Sequence, residues 1–253
     1  MNASPLKQEP VATPVERVIF WSFLAVLGLF GIVLLLPPVC SYPKFLADKG
    51  ACRANLRVLA AAMHSYHDAY HSFPPAYIVD KNGRPMHSWR VLLLPFLEHG
   101  ALYRRYHFDE PWNGPRNRML MSGVPDEFHC PADSGPETNT NYFVVVGPKT
   151  VFPGAGSVRI RDITDGTSCT ILLVEAADSD VNWLEPRDLT YEEALRGINP
   201  KTGWGISSHH RKGEVLVALA DGSTPVLPED FDVEQLRRLL ERNDGRSISP
   251  PLD

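Results

Sequence analysis

The hydrophobic pattern of residues 51–77 predicts the helix around which the rest of the chain is organised. Apolar or aromatic residues recur there at helical spacing, at Leu56, Leu59, Ala60, Met63, Tyr66 and Tyr70. Pro74 and Pro75 end the run, because proline lacks an N–H and clashes with the preceding turn. A helix with one apolar face needs a partner, so we expect a sheet formed by downstream segments to cover it.

Short runs rich in β-branched and apolar residues predict that sheet. They are Asn141–Val146, Val158–Ile160, Thr170–Ala176, Glu214–Leu219 and Pro225–Leu227. Pairs suited to tight hairpin turns occur at Asn82-Gly83, Asp165-Gly166 and Asp221-Gly222. Accessory helices are predicted at His87–Phe108, after the capping-box spacing Thr190–Glu193 with Gly197 as its stop, and at Asp232–Arg242. The pattern therefore indicates an α+β domain.

The uncharged run Val18–Leu36 predicts a transmembrane helix near the N-terminus. At 1.5 Å per residue it extends over ~28 Å, enough to cross the core of a bilayer. The alternative is a buried core helix, which would need apolar partners on all sides. A cleaved signal peptide has a shorter apolar region and small residues at its end. Since this run ends in Leu36-Pro37-Pro38, we expect the span to be retained.

The chain of 253 residues divides into five predicted segments. These are a disordered tail at 1–17, the transmembrane helix at 18–36, a linker at 37–47, the α+β domain at 48–246 and a C-terminal tail at 247–253. The formal net charge of −5 argues against a nucleic-acid-binding surface, which usually carries a basic stripe. Charges flanking the span do not decide its orientation in the membrane.

Several strings of this sequence, taken in order, carry a family resemblance. They are Leu34–Val39, Cys52–Leu56, Ser72–Ala76, Met86–Glu98, Phe108–Pro115, Phe128–Asp133, Asp162–Ser168 and Ala220–Ser223. Together they resemble a large bacterial family of pseudopilin-like proteins, the domain-of-unknown-function 1559 (DUF1559) family, over about residues 34–248. The motif residues carried over from it are Asn55, Pro74, Pro75, Trp89, Asp109, Pro111, Trp112, Asn113, Pro131, Asp165, Gly166, His210, Asp221 and Gly222.

The resemblance implies a pseudopilin-like fold: a transmembrane helix, an amphipathic spine helix packed on an antiparallel sheet, and accessory helices. It also implies an extracytoplasmic domain on a single-pass membrane protein. The prepilin cleavage site of such proteins has no counterpart at Glu16–Phe20, which lacks the required glycine, so we interpret the span as an anchor. Cys52 and Cys130 lie in two of the matching strings. A disulfide between them would close a long loop in an exported domain, whereas the alternative is two reduced, buried thiols.

Three groups of polar residues could carry chemistry. His64, His67 and His71 share a helical face beside Asp68 and could surround a metal, but no fourth ligand accompanies them, which favours rim packing. His209-His210 precede Asp221-Gly222 as in the family motif, with ten residues between His210 and Asp221 where the family usually has nine; a polar role at a turn is favoured over catalysis. Acidic residues that could bind calcium or remain solvated are Asp109, Glu110, Asp162, Asp165, Glu185 and Asp188.

These observations predict a non-enzymatic, membrane-anchored scaffold or interaction protein related to type II secretion and pilus pseudopilins. Its predicted partners are the membrane and envelope proteins, and we predict no catalytic residue, metal, cofactor or nucleic acid. The alternative is a glycan- or small-ligand-binding module, suggested by Trp112, Trp183 and Trp204, which we expect to be exposed in loops. A metal-dependent hydrolase that uses the histidines is the third reading. Cys40 lies at the membrane, and Cys169 begins a predicted strand.

Overall fold

The computed structural model describes residues 14–15, 21–23 and 41–246. The chain divides into two compact units, Met1–Lys44 and Phe45–Asp253, and the sheet and clefts below belong to the second. Among these described residues, no helix has both the length and the apolar character that crossing a membrane requires. Most of the predicted tail 1–17, most of the predicted span 18–36, Cys40 and the predicted tail 247–253 lie outside the described residues.

Helix α1, Ser41–Tyr70, is the longest of the described elements. Its residues Leu56, Leu59, Ala60 and Met63 are fully buried, which confirms the first part of the predicted apolar stripe. Tyr66 is half-buried, and Tyr70 is 60% exposed, so the stripe is wrong at its last position. Among the helix residues whose burial is described, from 48 onward, the fully buried face therefore extends from Cys52 to Met63.

The two ends of α1 follow from local chemistry. The helix begins at Ser41, inside the segment 37–47 that was predicted to be a linker. Pro43 is tolerated there because N–H groups in the first turn have no intrahelical acceptor. The helix ends at Tyr70, and His71 has a φ of 61° that turns the chain out of the helix before Pro74.

The main sheet has four antiparallel strands in the order β3-β5-β7-β8. Their bounds are β3 Tyr142–Phe143, β5 Ile171–Glu175, β7 Val215–Leu219 and β8 Val226–Leu227. A separate hairpin joins β1 Tyr77–Val79 to β2 Pro85–Ser88, with Gly83 in its turn at φ 78°. Strands β4 Val145–Val146 and β6 Leu189–Thr190 form a short parallel pair.

The core lies on both faces of the main sheet, and β7 shows why. Its Leu216 and Ala218 belong to the cluster around α1, whereas Val215, Val217 and Leu219 belong to a second cluster. Successive side chains of a strand point to opposite faces, so an apolar run such as VLVAL suits a strand that is buried on both sides. The predicted packing of the spine helix against an antiparallel sheet is confirmed.

Short helices complete the fold. They are α2 Trp89–Leu93, α3 Gly100–Arg105, α4 Tyr191–Ala194 and α5 Val233–Leu240, with 3₁₀ turns at Leu94–Phe96, Asn117–Leu120, Asp126–Phe128, Ile160–Asp162, Thr167–Cys169 and Arg211–Gly213. The predicted capping box is confirmed, because the Thr190 hydroxyl accepts from the Glu193 N–H while the Glu193 carboxylate accepts from the Thr190 N–H. Leu236, Leu239 and Leu240 of α5 are buried in the second cluster.

The helical period of His87–Phe108 corresponds to short helices and not to one continuous helix. The segment contains the end of β2, then α2, a 3₁₀ turn and α3. Pro95 lies in that 3₁₀ turn, and Glu98 has a φ of 62°. A proline and a left-handed residue so close together interrupt the helical hydrogen bonds that the apolar spacing suggested.

Three predictions for the β region also need correction. Val158–Ile160 is not a strand. The Val158 carbonyl accepts a hydrogen bond from the Phe73 N–H, and the Ile160 N–H donates to the His67 imidazole, so neither group bonds to another strand. Asn141–Val146 is divided into β3 and β4, because the Val144 N–H donates to the Asp188 carboxylate. Asp165-Gly166 precedes a 3₁₀ turn rather than forming a hairpin, whereas Asp221-Gly222 does connect β7 to β8.

Candidate ligand-binding cleft

A disulfide joins α1 to the loop that precedes β3. Cys52 and Cys130 are bridged with 5.3 Å between their Cα atoms, so the predicted disulfide is confirmed and the reduced pair is not what the structure contains. One turn along α1, the Asn55 side chain donates to the carbonyl oxygens of His129 (2.9 Å) and Asp126 (3.3 Å). The Cys-x-x-Asn spacing thus places both residues on one face of the helix, where they hold the same loop.

Removing this disulfide should destabilise the domain by about 2–4 kcal/mol, because the bridge closes a loop with a sequence separation of 78 residues in the unfolded chain. We expect Cys52→Ala/Cys130→Ala to lower the free energy of unfolding by that amount in denaturant titrations of a soluble fragment that begins at Ala47. The control is Cys169→Ala, which removes a buried cysteine outside the disulfide. An equal loss in the control would contradict an effect of the cross-link.

A buried histidine–carboxylate pair lies next to the disulfide. The Nε2 atom of His210 is 3.2 Å from a Glu175 oxygen, and the second oxygen of Glu175 accepts from the Leu216 N–H at 2.8 Å. One ligand atom from each of Cys52, Cys130, Glu175 and His210 lies within 4.8 Å of the others. His210, the histidine of the family motif, is therefore buried in the core and does not face solvent.

A second group of ionisable side chains lies at the surface nearby. His209 Nε2 is 3.0 Å from a carboxylate oxygen of Asp178, and Asp133 contributes a ligand atom within 4.8 Å of both. Asp133 is held in place, since it accepts from the Asp178 N–H, the Gly135 N–H and the Asn141 amide. A gap of about 10 Å³ is lined by Cys130 and Glu175 from the buried region and by Asp133 and His209 from the surface group.

His209 also lines the candidate cleft. This cleft has a volume of about 420 Å³, and its polar lining includes Asp178, Asn199, Ser207 and His209. Trp204 supplies an aromatic surface within the same cleft. Its ring is fixed by an edge contact with Phe143 and by the Arg187 guanidinium, 4.8 Å from the ring centroid. The cleft therefore combines a fixed aromatic ring with hydrogen-bonding groups, a combination typical of small-ligand sites.

The other two predicted tryptophans differ from each other. Trp112 lines a second open cleft of about 480 Å³ together with Asp80, Arg84 and Asn113. Trp183 is fully buried, stacks on Phe128 and donates to a backbone carbonyl, so its predicted exposure in a loop is wrong. Its apolar ring fills the core between the loop before β3 and the loop after β5.

A buried ion pair lies beside β3. Arg90 Nη2 is 2.8 Å from Asp188, whose carboxylate also accepts from the Trp89 indole (3.0 Å) and the Val144 N–H (3.1 Å). Both charged side chains are fully buried, and the guanidinium also donates to the Tyr142 carbonyl. Burial raises the pKa of the Asp188 carboxyl to about 6 despite these donors, and burial lowers the pKa of Arg90. The family-motif Trp89 and the predicted calcium candidate Asp188 therefore belong to one structural network.

The Asp188 carboxyl gives a pH prediction. A group whose pKa is higher in the folded chain than its ordinary 3.8 binds its proton more tightly when folded. Its contribution to stability is present below about pH 4 and is lost as the pH rises through about 6. Across that pH range, we expect the free energy of unfolding of wild type to fall by up to about 3 kcal/mol relative to that of Asp188→Asn. Denaturant titrations at several pH values measure this difference.

The matched control for this pH dependence is Asp80→Asn. Hydrogen bonds from the Arg84 and Asn82 backbone and from the Arg84 side chain lower the pKa of Asp80, so its stabilising contribution is lost as the pH falls. As the pH rises, the free energy of unfolding of wild type should therefore increase relative to that of Asp80→Asn, which is the opposite of the trend expected for Asp188→Asn. Equal pH profiles for wild type and Asp188→Asn would contradict the burial effect.

The remaining motif residues serve turns and loop anchors. The Asp165 carboxylate accepts from the N–H groups of Asp244 and Gly245, which holds the C-terminal segment, and Gly166 has a φ of 104° that permits the following 3₁₀ turn. Asp221 accepts from Ser223, and Gly222 has a φ of 87° in the β7–β8 turn. Among the other motif residues, Pro74 is buried and Pro75 is half-buried. Three are exposed: Pro111, Asn113 and Pro131.

The predicted metal candidates are not brought together. His67 Nε2 accepts the Ile160 N–H, His64 packs against Phe73, and His71 is exposed at the end of α1. Asp109 and Glu110 pair with Arg116, and Asp162 pairs with Arg159. Within residues 14–15, 21–23 and 41–246, the groups that converge are instead those around Cys52 and around Asp133.

The sequence did not identify four residues of the site and the core, namely Glu175, Asp178, Asp133 and Arg90. Two of them carried a signal, because Glu175 and Arg90 interrupt runs of apolar residues. A charged residue in such a run needs a buried partner. Nothing local marks Asp133 and Asp178, which come together only when their loops meet.

Comparison with known proteins gives one family. The family model described as "Protein of unknown function (DUF1559)", SBP_bac_10, matches residues 49–194. This range contains most of the folded core, including Cys52, Cys130, Glu175 and Asp188, and ends before His209. No curated protein and no solved structure matches the chain.

Proposed function

This chain belongs to the DUF1559 family, and we propose that it is a non-enzymatic interaction protein with a pseudopilin-like fold, anchored by residues 18–36 with its domain on the extracytoplasmic face. The observation that carries this proposal is the Cys52–Cys130 disulfide. Disulfides form and persist mainly in oxidising compartments outside the cytosol. A domain with this bridge, preceded by a long apolar run, fits an exported domain on a membrane anchor.

Three of the family-motif residues support an interaction role over catalysis. Asn55 holds the loop before Cys130, Trp89 donates to Asp188 in the core, and Asp165 holds the C-terminal segment. Side chains engaged in this way are used for the architecture of the domain. The related pseudopilins likewise work as components of secretion or pilus-like assemblies, so envelope proteins are the proposed partners.

The test of the anchor and its orientation uses the full-length chain in membranes. We expect the protein to stay in the membrane fraction after a carbonate wash, and a mature N-terminus beyond Leu36 in mass spectrometry would contradict this. Protease added to spheroplasts should digest the domain without lysis if it is extracytoplasmic. Purification from solubilised membranes with a cross-linker should then recover envelope proteins, and recovery of the chain alone would refute the scaffold role.

A second candidate function, binding of an envelope glycan, is favoured by the cleft at Trp204. Sugars present C–H faces that pack on aromatic rings and hydroxyl groups that bond to carboxylates and amides. Trp204, Asp178 and Asn199 offer those three kinds of group in one cleft. Titration with peptidoglycan fragments should quench tryptophan fluorescence saturably. The response should be lost in Trp204→Phe and kept in Trp112→Phe, whose ring lines the other cleft.

A further inference from the structure

Four buried side chains with metal-binding chemistry converge between α1 and the main sheet. Cys52, Cys130, Glu175 and His210 are between 0% and 6% exposed, and one ligand atom of each lies within 4.8 Å of the others. Two cysteine sulfurs, an imidazole nitrogen and a carboxylate oxygen are a donor set that zinc accepts in tetrahedral sites. The disulfide is the oxidised state of two of these four donors.

The other two donors are already oriented. One oxygen of Glu175 is fixed by the Leu216 N–H at 2.8 Å, so the second oxygen is directed to the His210 imidazole at 3.2 Å. The Nδ1 atom of His210 is buried and has no hydrogen-bond partner. A buried polar atom without a partner costs free energy, and backbone bonds that orient a ligating carboxylate are typical of metal sites.

A small gap adjoins both the surface group and this cluster. The gap of about 10 Å³ is lined by Cys130 and Glu175 at one side and by Asp133 and His209 at the other. Opening of this gap would expose Cys130 and Glu175 next to the acidic Asp133, and an entry path is one of the requirements of a metal site.

We propose that, while Cys52 and Cys130 are reduced, these four residues bind one zinc ion, and that formation of the disulfide releases it. Binding displaces the protons of the two thiols, and the ligands then lie about 3.3–3.8 Å from one another around the ion. Oxidation passes two electrons from the two thiolates to a disulfide oxidant, forms the S–S bond and frees the zinc. In the opposite direction, a phosphine reductant supplies the two electrons that regenerate the thiols.

The test uses the full-length chain in detergent. The oxidised protein and the protein reduced by a phosphine are each incubated with zinc, desalted without oxygen and analysed for metal by mass spectrometry. We expect about one zinc per reduced chain and none per oxidised chain. Cobalt in place of zinc should give the intense visible bands of a tetrahedral thiolate site. Circular dichroism should show that the reduced, zinc-loaded chain keeps its fold, and unfolding at saturating zinc would overturn the proposal.

Matched variants locate the ion. His210→Ala and Glu175→Gln should each weaken zinc binding to the reduced chain by at least about tenfold. His209→Ala, the adjacent exposed histidine, and Cys40→Ser/Cys169→Ser should leave the stoichiometry unchanged. Zinc that binds equally to the oxidised chain, or that is lost in His209→Ala but kept in His210→Ala, would assign the ion to the surface group and overturn the proposal.

Discussion

Replacing Leu59 by Asp should unfold the domain. Leu59 is fully buried in the hydrophobic cluster between α1 and the main sheet. The carboxylate would lose its hydration among apolar side chains, and the leucine contacts would be lost as well. The combined cost exceeds about 5 kcal/mol, which is comparable to the whole stability of a typical domain.

The measurement is circular dichroism and denaturant unfolding of the soluble fragment that begins at Ala47. Val58→Asp is the matched control, since Val58 precedes Leu59 on the same helix and is 43% exposed. We expect this control to change the free energy of unfolding by no more than about 0.5 kcal/mol. A folded Leu59→Asp variant would refute the assignment of the buried face of α1.

Replacing Arg90 by Met should lower the free energy of unfolding by about 3–5 kcal/mol. The substitution leaves the Asp188 carboxyl fully buried without its cationic partner, and removing one member of a buried pair is costly. The loss should be larger at pH 8 than at pH 5, because burial has already raised the pKa of Asp188 to about 6 and the lost guanidinium raises it further. Denaturant titrations at the two pH values measure both effects.

Two further variants separate the charge effect from packing. Arg90→Met/Asp188→Leu removes both charges and should recover most of the lost stability. Arg159→Met breaks the exposed pair with Asp162 and should change stability by no more than about 1 kcal/mol. Equal losses in Arg90→Met and in the double variant would show that side-chain packing, and not an unpaired carboxylate, determines the cost.

Local chemistry explains which parts of the fold the sequence predicts well. Three elements depend on residues that are close together in the chain: the stripe from Leu56 to Met63, the Thr190 capping box and the Asp221-Gly222 turn. Their spacing is sufficient to predict them. Val158–Ile160 has a strand-like composition, but its backbone bonds go to His67 and Phe73 on a distant segment. Tertiary hydrogen bonds overrode propensity there.

The candidate cleft depends on contacts that are distant in sequence. Asp178 follows β5, His209 precedes β7, and Asp133 lies before β3, so only the order of strands in the sheet brings them together. His210 was identified as a motif residue through the family resemblance, but its buried partner Glu175 was not. No local spacing encodes which loops meet at one end of a sheet, and this limits what the sequence alone predicts.

The lengths of the strands limit how copies of this domain can associate. The inner strands β5 and β7 have five residues each, whereas the edge strands β3 and β8 have two each. Pro225 and Pro228 flank β8, and proline has no N–H to offer to a neighbouring strand. Edges this short protect against growth of a continuous sheet from one molecule to the next. When two copies of this domain approach each other, contact through side-chain surfaces is therefore favoured over backbone pairing at the edges of the main sheet.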